Sequence, residues 1–146
     1  MKKLWQTIRE YLPKLIANIL ASRVFYQVES EGVVVPIVNY NQLVYTSSEK
    51  GRYTGFVSLA NMTGGDTTEV SVYIKTRKPA LASKEKYWGE KDKSVQVVGQ
   101  QAEPILRINP IFSKYGISIV VTQSTGTSKP YYYQFHRFGM RGVLNA

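Results

Sequence analysis

Few side chains of this sequence have the chemistry of a catalytic or metal-binding site. The chain contains one histidine and no cysteine, which excludes a Cys/His zinc site, a thiol nucleophile and a disulfide framework. The histidine, His136, stands in an aromatic segment with no acidic residue close by in sequence to orient it as a base, so we interpret it as structural. The ten carboxylates show no local spacing typical of an acid–base pair.

Nucleotide-binding signatures are missing from the sequence as well. There is neither a Walker A pattern nor a dinucleotide G-x-G-x-x-G motif. The pair Gly64-Gly65 belongs to a strong turn signal rather than to a strand-to-helix junction, and the sequon-like Asn61-Met62-Thr63 is given no role. We therefore predict that the protein is not an enzyme and uses no cofactor, no metal ion and no small-molecule substrate.

Charge and composition indicate the kind of partner the chain could have. The 19 Lys and Arg residues outnumber 10 Asp and Glu residues, which gives a net charge of +9 over 146 residues. Such a balance favours acidic partners, either nucleic acid or anionic lipid. The length and the 43% hydrophobic content predict one domain with a buried core, or a domain with an arm.

The C-terminal third of the chain combines basic and aromatic residues. After Glu103 the sequence contains no acid, and the segment 130–138 is rich in tyrosine and phenylalanine. Aromatic side chains interleaved with basic ones could stack on single-stranded nucleic acid. The favoured interpretation is that alternate aromatics fill the core, because successive strand residues point to opposite faces. The candidate nucleic-acid surface consists of Lys129, Arg137 and Arg141.

Residues 1–23 have the periodicity of an amphipathic helix. The apolar stripe recurs at spacings of three and four, and it contains Trp5, Ile8, Leu12, Leu15 and Ile19. Five basic residues against one acid give this arm a charge of +4; those that lie mainly off the stripe are Lys2, Lys3, Arg9 and Lys14. These charges argue against both a signal peptide and a membrane-spanning helix. Pro13 predicts a kink or two short helices.

Three interpretations of this arm compete. It could pack on the core of its own domain, contact a neighbouring subunit, or lie in a lipid interface with Trp5 and the lysines at headgroup level. The apolar face is wide for so basic a segment, which favours an intermolecular role. Lipid, genome and neighbouring subunit all stay open as its partner.

From residue 24 onward the periodicity changes from helical to near two. Nine strands are predicted, at 24–29, 32–38, 42–46, 52–60, 68–76, 94–98, 104–108, 116–123 and 130–138. Short strands at this spacing, with no helical pattern between them, predict an antiparallel sandwich or barrel over residues 24–146. Pro36, inside an apolar run, predicts an edge position or a bulge.

The longest predicted loop spans residues 77–93. Its charges alternate in sign, which is typical of a solvated loop. Tyr87 and Trp88 within it are a candidate subunit interface, since aromatic pairs on polar loops often anchor contacts between proteins. They could equally fold back over an open end of the sandwich.

An arm followed by eight or nine short strands, without a catalytic signature, resembles the plan of viral single jelly-roll capsid proteins. The stretches Arg52–Thr76 and Gly116–Arg137 are similar to strand-turn-strand segments of small β-sandwich proteins from bacterial and archaeal DNA viruses. The resemblance implies a capsid subunit in the virion that assembles with itself and with other virion proteins. It also implies an arm directed inward or toward a neighbour, where some capsids enclose lipid. The alternatives are a nucleic-acid-binding β-barrel and a peripheral membrane protein anchored by the arm.

Overall fold

The computed structural model describes residues 2–21, 25–78 and 88–139. The first described element is helix α1 (Lys2–Ala21), and every later element among the described residues is a strand. The strands are β1 (Phe25–Val34), β2 (Asn41–Thr46), β3 (Gly51–Ser58), β4 (Thr67–Ile74), β5 (Glu90–Val98), β6 (Ile105–Ser113), β7 (Ile117–Thr125) and β8 (Tyr131–Gly139). The predicted boundary at residue 23 lies in the stretch 22–24, outside the described residues, and stays a prediction.

Two four-stranded antiparallel sheets form a sandwich. The first sheet has the order β1-β8-β3-β6 and the second the order β2-β7-β4-β5. Strand β1 pairs with β8, β2 with β7, β3 with β6 and β4 with β5. The first four strands thus pair with the last four in reverse order. Eight strands in this nested order form a jelly roll. The predicted all-β antiparallel sandwich is confirmed, and its strand order is one that the sequence leaves open.

The strand count differs from the prediction, because 24–29 and 32–38 are not separate strands. A single strand, β1, continues through residues 30 and 31, which separate the two predicted strands. The ladder to β8 shifts register between Val28 and Ser30, so Glu29 is an extra residue in a β-bulge. Strand β1 ends at Val34, and Pro36 therefore lies in the connection to β2 rather than inside a strand.

Two other elements are longer than predicted. Strand β5 starts at Glu90, inside the region predicted to be loop. Strand β6 continues from Ile105 to Ser113 and includes Pro110. Proline is tolerated there because β6 is at the edge of its sheet and its ladder to β3 shifts register at this point.

The inner faces of the two sheets form one apolar core. Strand β8 contributes Tyr131 and Phe135, β3 contributes Tyr53, and β4 contributes Val70 and Val72, all buried. Tyr132, between two inward residues, is exposed on the other face. The expectation that alternate aromatics of this strand fill the core is therefore confirmed.

Helix α1 runs without interruption through Pro13, so of the two predicted effects of this proline the division into two short helices is wrong, and the kink stays a prediction. Proline removes one backbone donor, and the hydrogen bonds of the flanking turns preserve the helix. Within the described part of the chain, no helix combines the length and the apolarity needed to cross a membrane.

Candidate interaction surfaces

The described residues offer surfaces rather than a chemical centre. In the ranges 2–21, 25–78 and 88–139, no three acidic or histidine side chains are grouped so that they could hold a metal ion. His136 lies half-buried on β8, where the register places it between Val28 of β1 and Thr54 of β3. Its neighbours in the ladder are thus uncharged.

The outer face of the first sheet carries exposed apolar side chains. Val33, Tyr132 and Ile105 lie in one row across the sheet, with Ser58 between the last two. All three apolar residues are exposed. Phe112, which pairs with Arg52 in a parallel row, is exposed as well. We call Val28, Val33, Ile105, Phe112 and Tyr132 the apolar outer face.

Strand β1 extends this face along an open edge. Val33 is 60% exposed, and the alternation continues past the end of the strand, where Val35 and Ile37 are exposed while Val34 and Pro36 are buried. Among the described strands, β1 pairs only with β8, so the other side of its backbone is an edge of the described sheet. An edge strand with exposed β-branched residues is a site where another chain can pack.

Hydrogen bonds between polar side chains cross both outer faces, and among the described residues the second sheet has more of them. On the first sheet, Tyr132 and Gln134 donate to Glu31 at 3.3 and 3.0 Å. On the second sheet, Thr46 bonds Ser118 at 3.0 Å, Asn41 accepts from Thr122 at 2.7 Å, and Ser71 bonds Ser94 at 3.2 Å. Lys91 of the edge strand β5 pairs with Glu69 of β4 at 2.9 Å. Hydrogen bonds from Ser94, Lys91 and Ser71 lower the pKa of Glu69 to about 2. This face is therefore satisfied within the chain, and Leu43 and Val98 are its exposed apolar exceptions.

The side chains that the structure describes on α1 are those of residues 5–14, and all are exposed. Trp5 and Leu12 of the predicted stripe are 63% and 52% exposed, and Ile8 and Tyr11 are exposed too. This part of the helix is therefore not packed on the core of its own domain. The side chains of Lys2, Lys3, Leu15 and Ile19 lie outside the described ones.

The predicted nucleic-acid residues are separated rather than gathered. Lys129 and Arg137 lie near opposite ends of β8, about 26 Å apart at the usual rise per residue. The ammonium group of Lys129 is 2.7 Å from Asp66, and Nε of Arg137 is 2.7 Å from the bulged Glu29. Arg141 lies outside the described residues. Both described cations are thus engaged in ion pairs, and the nucleic-acid surface stays a prediction.

Asp66 is a buried residue whose hydrogen bonds connect several loops, and we call it the Asp66 junction. Its role is not evident from the sequence. Its carboxylate accepts the Thr63 amide at 2.8 Å, the Lys129 ammonium at 2.7 Å and the Thr127 amide at 3.2 Å. These bonds, that of Lys129 first, lower the pKa of Asp66 to about 2. Its carbonyl also accepts the Gly99 amide at 2.8 Å. One residue thereby joins three loops at one end of the sandwich. The turn-forming Asn61–Asp66 run was the only local signal.

Trp88 packs on its own chain. The residue is half-buried, and its ring meets that of Tyr73 edge-on with centroids 5.8 Å apart. Tyr73 lies on the outer face of the second sheet, so Trp88 covers part of that sheet. Tyr87 lies outside the described residues, and the role of Tyr87 and Trp88 in a subunit interface stays a prediction.

No family model matches the chain, and no curated protein sequence matches it. Among solved structures, it is similar to a chain from Bacillus endospore appendages, described as a family of disulfide-linked pili. The TM-score is 0.49 at 8% identity, over 81% of this chain and 91% of that chain. A similarity of this size carries no inference about function.

Proposed function

We propose that this protein is a structural subunit that self-assembles through its jelly-roll sandwich, and that the assembly is a virion shell. The apolar outer face of the first sheet is the observation that carries the proposal. Jelly rolls also occur in lectins and cupins, so the fold alone does not select this function. The topology matches the plan expected from the resemblance to single jelly-roll capsid proteins.

The difference between the two outer faces supports assembly through the first sheet. More hydrogen bonds between polar side chains cross the second sheet, whereas Val33, Ile105 and the ring of Tyr132 (its hydroxyl donates to Glu31) remain exposed in one row of the first. Each is about half exposed, so covering it would contribute about 1 kcal/mol, half of the full-burial value. Contacts this weak suit a shell, where many repeated contacts act together.

The open edges support the same surface. Strand β5, at the edge of the second sheet, carries four exposed charged residues, Glu90, Lys91, Asp92 and Lys93. Charges of this kind discourage edge-to-edge pairing. In β1 the residues after Glu31 are uncharged, and the exposed Val33 lies among them. A neighbour would therefore pack at β1 in preference to β5.

The test is the mass of the protein by light scattering, with negative-stain images of the same fractions. We expect rings, pentamers, hexamers or shells. The variant Val33→Lys should shift the mass toward monomer, because it places a charge in the apolar row. Val98→Lys is the matched control, since Val98 is 63% exposed at the end of the other sheet's edge strand.

Two results would contradict the proposal. A wild-type protein that stays monomeric over a wide concentration range would exclude self-assembly. An equal loss of mass in Val33→Lys and Val98→Lys would exclude the first sheet as the assembly surface. Both variants should keep their unfolding midpoint, because both side chains are exposed.

A further inference from the structure

Helix α1 presents an apolar stripe that the described chain does not cover. Trp5, Ile8 and Leu12 are at spacings of three and four, so they share one face of the helix, and all are exposed. Arg9 flanks this stripe, and Lys14 lies on the opposite side. From Trp5 to Leu12 the helix rises about 10 Å, so the exposed part of the stripe extends over about two turns.

Charge decides which kind of partner fits this helix. The arm carries +4 of the chain's +9, which leaves +5 on the remainder. A second copy of the chain therefore meets the arm with charge of the same sign, and so does its own sandwich. An anionic partner meets it with opposite charge.

The exposed apolar residues of the helix favour lipid over nucleic acid as its anionic partner. Phosphates of a nucleic acid would pair with Arg9 and Lys14 but would leave Ile8 and Leu12 in water. A bilayer with anionic headgroups satisfies both faces, because basic side chains remain at the headgroups while the apolar face is buried below them. Tryptophan is enriched at this depth of a membrane.

We propose that α1 lies parallel to the surface of an anionic lipid bilayer and docks the sandwich there. Pro13 agrees with this placement, because the helix lacks one backbone hydrogen bond in its middle. A hydrated interface satisfies the freed carbonyl, whereas the hydrocarbon core would not. This inference goes beyond self-assembly and does not depend on it.

The experiment is co-flotation of the full chain with phosphatidylcholine vesicles, with and without 30 mol% phosphatidylserine (about the anionic fraction that gives a strong surface potential). We expect binding to the anionic vesicles and little to the neutral ones. The chain has two tryptophans, so the variant Trp88→Phe leaves Trp5 as the fluorescence reporter. Its emission should shift to shorter wavelength on binding.

Two variant pairs test the two faces. Arg9→Gln with Lys14→Gln should weaken binding about 25-fold, at about fivefold per basic residue near the surface. The control Lys93→Gln with Lys114→Gln removes the same charge from exposed positions on the sandwich, and should change affinity less than twofold. Ile8→Gln with Leu12→Gln should weaken binding at least tenfold while leaving the charge unchanged.

The proposal is overturned if the full chain ignores the anionic vesicles, or if the arm and sandwich charge pairs weaken binding equally. A combined result with single-stranded DNA would also overturn it. In that result the DNA binds the arm, the double variant Ile8→Gln, Leu12→Gln keeps this DNA binding, and the vesicles bind weakly. Unfolding midpoints of the charge variants and of Ile8→Gln with Leu12→Gln should equal that of wild type, since these replaced side chains are exposed. Light scattering without vesicles measures self-assembly separately. Failure of the lipid proposal is therefore distinguishable from failure of the assembly proposal.

Discussion

Replacing Gly126 by alanine is expected to destabilise the sandwich through the Asp66 junction. Gly126 follows β7 and has a φ of 89°, a conformation that favours glycine. A Cβ at this position would collide with the Asp66 carboxylate and stand 2.9 Å from its Cα. The added methyl group therefore disturbs the side chain that joins the three loops.

The cost has two parts. A left-handed backbone conformation costs an alanine about 1–2 kcal/mol. Forcing a methyl group into a filled site costs typically about 1–3 kcal/mol. The free energy of unfolding should therefore fall by about 2–5 kcal/mol, a large fraction of the stability of an ordinary domain.

The measurement is urea unfolding followed by tryptophan fluorescence, at protein concentrations where wild type and variant have the same mass. Gly64→Ala is the matched control, because Gly64 lies at the same end of the sandwich and a Cβ there meets no atom within 4 Å. Its φ is outside the left-handed region, so the control should change the free energy of unfolding by less than about 1 kcal/mol.

Equal effects of the two alanine variants would refute the reasoning. Such a result would mean that neither the backbone conformation of Gly126 nor its contact with Asp66 limits stability. A large effect of Gly126→Ala that persists in an Asp66→Ala background would assign the cost to the backbone conformation and to the contact with the Asp66 Cα, because the carboxylate is then absent.

Two further predictions concern the buried polar groups. The pKa of Asp66 is about 2 in the fold, below its ordinary 3.8, so its carboxylate stabilises the fold above about pH 4 and this contribution is lost as pH falls toward 2. Asp66→Asn should lower the urea midpoint at pH 7, and the difference from wild type should shrink at low pH; a constant difference would contradict this. Tyr131→Phe should cost about 1 kcal/mol, because it leaves the hydroxyl of Thr68, buried and 3.0 Å from that of Tyr131, without its partner. Adding Thr68→Val should recover most of this loss in urea unfolding, and a further loss would argue against the hydrogen bond.

Local patterns in the sequence were sufficient to identify most of the strands and their faces. The alternation of Tyr131, Tyr132 and Phe135 predicts which aromatics are buried, since side chains of a strand point alternately to opposite faces. Composition was misleading at β1, because the run from Glu29 to Gly32 has the composition of a turn but lies inside one strand. A β-bulge keeps the strand continuous there, and Arg137 pairs with the bulged Glu29 from a position 108 residues away.

The candidate surfaces, like the strands, could be predicted from the sequence only in part. Helical spacing in the first 23 residues predicts the stripe of α1, and the structure leaves its described part exposed. The basic residues Lys129 and Arg137 looked available in sequence, but their ion pairs to Asp66 and Glu29 depend on tertiary contacts. Charge counted along a chain does not reveal which cations are already paired in space.

The sequence by itself determined the two periodicities, the excess of basic charge and the lack of cysteine. These properties depend on residue type and on spacing within one element, so they are readable without a fold. Only the tertiary structure decided that β1 pairs with β8, that Asp66 joins three loops and that the apolar outer face belongs to the first sheet. Each of these requires residues far apart in sequence to meet, and their meeting depends on the packing of the whole sandwich.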